Sequence, residues 1–297
     1  MFVDPKTPTI NLFGALKSNI IAKLGEENLA HKNAAPTGGD LDFSLIKTIL
    51  FDLDGTLTVD GLPIPGAAEA LKSLKSKGLS VRICTNTTTM SRDTMSRRLR
   101  QIGLPIEPAE VFSAPSAAAE FLRQHRIERC LKLLSDDVKH DFVEFEEDDS
   151  NPERIVIGDI GGSWDYALMS KLFSLVMNGS KIIALHKGRY WLSEGRLKLD
   201  IGAFITGLEF ATCVEAQIIG KPSTDFYKMA LASVKCSADE ACMIGDDLIN
   251  DIQGAQNCGI KGILVRTGKY LQDKVSTASI KPDLIVDSVA DLPDFLV

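Results

Sequence analysis

The sequence predicts an α/β protein, with a doubly wound, parallel-sheet (Rossmann-like) core and a second α/β unit inserted into it. Three observations carry this. Apolar runs of strand length alternate with amphipathic stretches of helical length over most of the chain, the rhythm of parallel βαβ units. Several of those runs end in Gly, Asp or Thr, as expected where open α/β sheets bind ligands at the carboxyl ends of their strands. The 297 residues are long for one domain, so two are expected.

Taken in order, residues 1–40 read as a separate extension. Thr9 can cap a helix carrying Ile10, Phe13, Ile20, Ile21 and Leu24 at roughly helical period, and the stretch NAAPTGGD (33–40) is a linker. A helix docked on the body or on another subunit and a tail both fit this segment. A targeting peptide fits it poorly, because it lacks Arg and contains Glu26 and Glu27. The first part of the core spans 41–122. Its opening strand is the run Ile49-Leu50-Phe51 inside TILFDLDGTLT (48–58). A helix over Ala67–Lys77 stops at Gly78, the strand Leu79–Cys84 follows, and a second helix covers Ser91–Gly103. The inserted unit spans 123–218. A helix over Ala117–Arg123 leads into it. Within it the pattern predicts the strand Cys130–Leu134, an acidic solvated loop at Glu144–Asp149, the strand Ile155–Ile157, a helix Trp164–Met177 and the strand Lys181–Leu185. A strand over Ala216–Ile219 leads back to the core, 219–297. There a helix starts at Ser223 or Thr224, the strand Ala241–Ile244 leads into a helix reaching Cys258, and strands at Gly262–Val265 and Leu284–Val286 precede a last helix.

Composition excludes several classes. The net charge is −7 and no stretch gathers Lys and Arg on one face, which argues against nucleic acid as a partner. No apolar run is long enough to span a membrane. The six cysteines are scattered, form no C-x-x-C pair and sit mostly among apolar neighbours. They read as buried reduced thiols, which suits the cytoplasm. The sequons at Asn86 and Asn178 are then incidental.

The chemistry concentrates at strand ends. Asp52 and Asp54 are too costly in a strand core unless a cation or solvent meets them; two acids in a surface turn would give the same local pattern. Thr85-Asn86 closes the second strand, and a Thr hydroxyl with adjacent N–H groups can donate to phosphate oxygens. Gly220-Lys221-Pro222 sets a cation between two residues that restrict the backbone. Gly245-Asp246-Asp247-Leu248-Ile249-Asn250-Asp251 places three carboxylates within six residues after an apolar strand, which repel unless a cation compensates. GKPST is not a Walker loop, since the Gly required five residues earlier is Glu215, and no G-x-G-x-x-G follows a strand.

Asp52-Leu53-Asp54-Gly55-Thr56 resembles the first motif of the haloacid dehalogenase superfamily, mostly phosphatases that use an aspartate nucleophile. The other three stretches resemble its second, third and fourth motifs, in the right order, and the resemblance covers about residues 45–297. It implies Asp52 as nucleophile, Asp54 as general acid and then base, and Lys221 as the cation balancing Asp52 and the phosphoryl group. It implies Mg²⁺ held by Asp52, the Asp54 carbonyl and Asp246, oxygen ligands suited to a hard cation. Thr85 and Asn86 would bind substrate, and Asp251 and Asp247 would stand behind the metal, with Asp247 also able to cap the following helix.

The position of the insert, between the second and third motifs, matches a class-two (C2, NagD-like) cap. The stretch Ala184–Thr212 is similar to the branch that includes phospholysine phosphohistidine inorganic pyrophosphate phosphatase. The substrate implied is a small phosphorylated molecule or pyrophosphate, with phospholysine or phosphohistidine as further options. A p-nitrophenyl or phosphoglycolate-type phosphatase, a phosphotransferase or mutase, and a phosphometabolite-binding protein are the alternatives. Lys187, with His186 and Arg189, is the expected cap contact to an anionic substrate; an ordinary polar hairpin would read the same way. A homodimer is implied by the branch alone.

Overall fold

The computed structural model describes residues 43–193 and 196–296, so the extension expected over 1–40 lies outside the described residues. Six strands build the core sheet, all parallel, in the spatial order Leu284–Val286, Lys261–Val265, Ala241–Gly245, Thr48–Phe51, Ser80–Thr85, Val111–Ser113. Chain order therefore runs outward in both directions from the centre, and the winding reverses between Thr48–Phe51 and Ala241–Gly245. Such a switch point opens a crevice at the carboxyl ends of the strands. Phe51 is aligned with Ile244, and the Asp52 N–H donates to Ile244 O at 2.8 Å. This register sets Asp52 beside Gly245-Asp246.

Side-chain alternation explains why the central strand is buried throughout. Ile49 and Phe51 join Ile83, Val111, Ile244 and Ile263 on one face, under the helices Ala67–Ser76 and Arg92–Gln101 through Leu71, Leu74, Met95 and Leu99. Leu50 joins Cys84, Phe112 and Met243 on the other, under Ala114–Gln124 and Thr224–Val234 through Phe121, Leu122, Phe226 and Tyr227. Burying such a side chain is worth about 1.5–3 kcal/mol. With both faces filled, polar chemistry is confined to the strand ends.

The inserted unit carries a second parallel sheet, ordered Gln217–Ile218, Lys181–Ala184, Arg154–Ile157, Arg129–Leu133, Glu146–Glu147. The helices Tyr166–Met177 and Gly202–Thr212 cover one face, packing Leu172, Leu175, Ile205 and Leu208 on Ile155, Ile157, Ile182 and Ala184. Its other face, with Cys130, Val156 and Ile183, belongs to the same apolar cluster as Leu50 and Phe121 of the core. The two units thus share continuous packing.

Three local expectations are revised. The acidic stretch at 144–149 is not wholly a solvated loop. Glu146–Glu147 is an edge strand, and Asp148 is buried, accepting from the Ser150 and Asn151 N–H groups at 3.1 Å. The last helix is a 3-10 segment, Val289–Asp294, with Pro293 inside it, a residue that cannot donate to an α-helical ladder. The helix expected after Asp247 opens as a wide π turn, Leu248–Gln253, before the short helix Gly254–Gln256. That turn shapes the site.

Candidate active site

The crevice at the switch point opens into a cleft of about 550 Å³ between the carboxyl edges of the two sheets. Asp52 directly follows the strand Thr48–Phe51 and is buried. Lys221, reached as the chain returns from the inserted unit, places its Nζ 2.5 Å from Asp52 Oδ1 and 2.7 Å from Asp251 Oδ1. All three groups are almost fully buried. Desolvation opposes charge on Lys221, but Asp251 and Asp52 outweigh it and push its pKa above the ordinary lysine range.

The π turn explains how Asp251 gets there. Asp247 caps the turn, its Oδ1 accepting from the Ile249 and Asn250 N–H groups at 3.0 Å each. The widened turn carries Asp251 back toward its own strand end, where Oδ2 accepts from the Asp247 N–H at 3.0 Å. The buried Tyr227 hydroxyl donates to Asn250 O at 2.6 Å and pins the turn from behind.

Asp246 is the residue with an unmet need. Its Oδ2 accepts from the Lys269 N–H at 2.7 Å, but its buried Oδ1 has no hydrogen-bond partner. Carboxylate oxygens of Asp52, Asp246 and Asp251 lie within 4.8 Å of one another. Burial first, and the neighbouring Asp52 second, raise the Asp246 carboxyl to about 7. Asp251 is likewise raised by burial. A cation among these oxygens would relieve both costs, and the donor set is oxygen only, so the residues fit a hard divalent ion. Gly55 makes room for this. Its φ of +97° suits glycine, and a Cβ there would stand 2.0 Å from Asp246 Oδ2.

Asp54 turns its carboxylate into the open cleft while protein closes in around it. Desolvation at the cleft floor and the charge of Asp52 raise its pKa, partly offset by Thr58, whose Oγ1 donates to Oδ1 at 3.3 Å. Thr85 lines the cleft and accepts from the Thr87 N–H at 3.1 Å. Asn86 lines it too, but its side chain clasps Lys221: Oδ1 accepts from Lys221 N and Nδ2 donates to Lys221 O, both at 2.9 Å.

The expected cap contact is not in the cleft. Lys187 is exposed, ion-pairs with Glu209 and borders a separate surface groove together with Arg189. Residue types alone suggested an anion contact, but Gly188 turns toward the cleft and its two basic neighbours face away. His186 does line the cleft, as do Asp159, Tyr190 and Asp200 from the inserted unit and Lys269 from the core. Lys269 ion-pairs with Asp247 at 3.1 Å. None of these last four carried a motif; Asp159 could have been suspected from its place just past an apolar strand.

Comparison with known proteins accounts for this arrangement. A haloacid dehalogenase-like hydrolase model matches residues 49–146 and a HAD-hydrolase-like model matches residues 218–292. Haloacid dehalogenase-like hydrolase domain-containing protein 2 of Rattus norvegicus is 37% identical over 253 residues, covering 85% of this chain and 96% of the rat protein. The chain belongs to the haloacid dehalogenase-like hydrolases. The human phospholysine phosphohistidine inorganic pyrophosphate phosphatase is 36% identical over 85% of this chain and 94% of its own. The 4-nitrophenylphosphatase of Thermotoga maritima superposes with a TM-score of 0.80 at 25% identity, over 86% of this chain and 99% of that one. NagD of E. coli K-12 gives 0.78 at 27%, over 83% and 98%. The chain is a phosphatase of this hydrolase family, built on the NagD-like core with an inserted cap. The geometry above lies at the four stretches whose resemblance first suggested it.

Proposed function

We propose that this enzyme is a Mg²⁺-dependent phosphatase that hydrolyses a small phosphorylated substrate or pyrophosphate through an aspartyl-phosphate on Asp52. The observation that carries the reading is the buried Lys221 shared by Asp52 and Asp251, next to the unpartnered Oδ1 of Asp246. Asp52, Asp246 and the Asp54 carbonyl would hold Mg²⁺, with Asp251 bracing both the ion and Lys221; the ion supplies neutralising charge for the phosphoryl oxygens.

The chain's own groups account for the remaining steps. Lys221, 2.5 Å from Asp52 Oδ1, holds that side chain in position, so that an Asp52 oxygen attacks phosphorus in line. Asp54, whose raised pKa favours a held proton, gives that proton to the leaving oxygen as the phosphorus–oxygen bond breaks. It then takes a proton from the water that attacks the aspartyl-phosphate, releasing phosphate and regenerating Asp52. The Thr85 hydroxyl donates to a phosphoryl oxygen. Asn86 acts by fixing the Lys221 backbone. Asp247 orients the π turn and Lys269. The inserted cap, residues 123–218, sheds water from the cleft and contacts the leaving group. The six cysteines are free, with Cys84, Cys130 and Cys242 buried but Cys213 exposed, and unpaired thiols fit a cytoplasmic enzyme.

Release of phosphate from p-nitrophenyl phosphate tests this. It should require Mg²⁺, stop with EDTA, and fall at least about 10³-fold in Asp52→Asn. Undiminished turnover in Asp52→Asn would overturn the assignment.

A further inference from the structure

The side of the cleft facing the catalytic groups is acidic. From the inserted unit it receives Asp159, His186, Tyr190 and Asp200, together with Gly188, and no Lys or Arg among the described residues. Asp159 comes just after the strand Arg154–Ile157 and His186 just after its neighbour Lys181–Ala184, so both stand at one sheet edge above the catalytic floor.

Among the described residues, neither carboxylate has a Lys or Arg side chain paired with it. The cap acids Asp148, Glu153 and Glu209 are paired with Arg129, Arg154 and Lys187. Asp159, by contrast, accepts from the Gly161 N–H at 2.7 Å, and Asp200 from the Ile201 N–H at 2.7 Å, with His186 Nδ1 at 3.8 Å from its other oxygen, and these are their side-chain partners among the described residues. That imidazole does not supply the missing charge. Its Nδ1 accepts from the Gly188 N–H at 3.1 Å, so the ring proton sits on Nε2, and burial lowers its pKa. The Asp200 carboxylate packs closely on Gly188, where a Cβ would stand 2.2 Å from Oδ2.

A second feature points independently to the same ligand chemistry. Tyr190, 60% exposed, stands at the rim between this cleft and the groove of Lys187 and Arg189, and an exposed aromatic ring attracts a cation to its face. Two unneutralised carboxylates and an aromatic ring in one cleft suit an ammonium group. They repel a second phosphate or a carboxylate.

We propose that the cap wall formed by Asp159, Asp200 and Tyr190 selects a leaving group bearing a protonated amine over one bearing further negative charge. The substrate class is then the phosphate monoester of an amino alcohol, or a phosphorylated side chain carrying a nearby cation. This rests on the phosphatase reading above and narrows it. Asp159 and Asp200 are specificity-determining residues in it.

Matched chain lengths test it. ω-Aminoalkyl, ω-carboxyalkyl and plain alkyl phosphates of two to five carbons are compared by kcat/KM at pH 7.5 with Mg²⁺. At the best length the amine should exceed the acid by about tenfold or more, roughly 1.4 kcal/mol. Asp159→Asn and Asp200→Asn each keep an oxygen to accept the local N–H, and each should narrow that ratio severalfold, mainly through KM. A wild-type enzyme that favours the acids, or treats both alike at every length, would refute the proposal, as would a ratio unmoved in both variants. Turnover of plain alkyl phosphates in that event would leave the phosphatase reading standing. No phosphate from any of the three series would sink both.

Discussion

Crowding the carboxylates of Asp52, Asp246 and Asp251 together, with Lys221 paired to only two of them, should make this protein's stability fall with pH until a divalent cation is added. Asp246 is buried with Oδ1 unpartnered, and its carboxyl is raised from 3.8 to about 7. In the unfolded chain that group loses its proton near the ordinary Asp value, so between about pH 4 and 7 the folded state binds more protons than the unfolded one. Stability therefore declines as pH rises through this window, by roughly 4 kcal/mol for one such group once both states are ionised. Asp251, buried beside it, is raised in the same direction, so the two acids titrate together and the roughly 4 kcal/mol belongs to the pair. For a protein of this size 4 kcal/mol corresponds to a fall in Tm of about 8–16 °C. Thermal melts followed by circular dichroism from pH 5 to 8, in EDTA and in 5 mM MgCl₂, provide the measurement. In EDTA the melting temperature should drop across the range. Mg²⁺ should recover most of the loss at pH 8 and little at pH 5, where protons compete with it. Asp246→Asn should flatten the EDTA profile. A profile in EDTA that is already flat for the wild-type chain, or a Mg²⁺ effect of equal size at both ends, would refute the reasoning.

Gly55→Ala places a methyl 2.0 Å from Asp246 Oδ2 at φ +97°; kcat with p-nitrophenyl phosphate should fall at least tenfold and the Mg²⁺ concentration for half activity should rise. Tyr227→Phe removes the 2.6 Å hydrogen bond that pins the π turn; the expected cost is about 1–3 kcal/mol in urea unfolding, with kcat lowered more than KM is raised. Lys187→Ala removes an exposed ion pair outside the cleft; kcat/KM on p-nitrophenyl phosphate should stay within about twofold, and a tenfold loss would return Lys187 to the substrate side.

Much of this molecule was legible in one dimension. The central strand could be read from Ile49-Leu50-Phe51, because burial on both sheet faces leaves an unbroken apolar run that carboxylates must terminate. Asp52, Lys221 and Asp246 were legible for the same reason, each lying just past such a run or between residues that restrict the backbone, whereas Asp247 was left between a place behind the metal and a helix cap until its Oδ1 was seen to accept from the Ile249 and Asn250 N–H groups. What the chain order could not convey was how charges separated by more than a hundred residues share space. Asn86 looked like a substrate ligand, yet it clasps the Lys221 backbone, since only the crossover between the sheets brings positions 86 and 221 together. Lys187 and Arg189 looked like anion contacts. The turn at Gly188 sends them outward and leaves Asp159 and Asp200 in the cleft, reversing the sign of its wall. Local sequence determines which residues must be buried and where a strand must stop, because those are costs paid residue by residue. Electrostatic partnership depends on distance through space, and only the folded arrangement of the two sheets decides it.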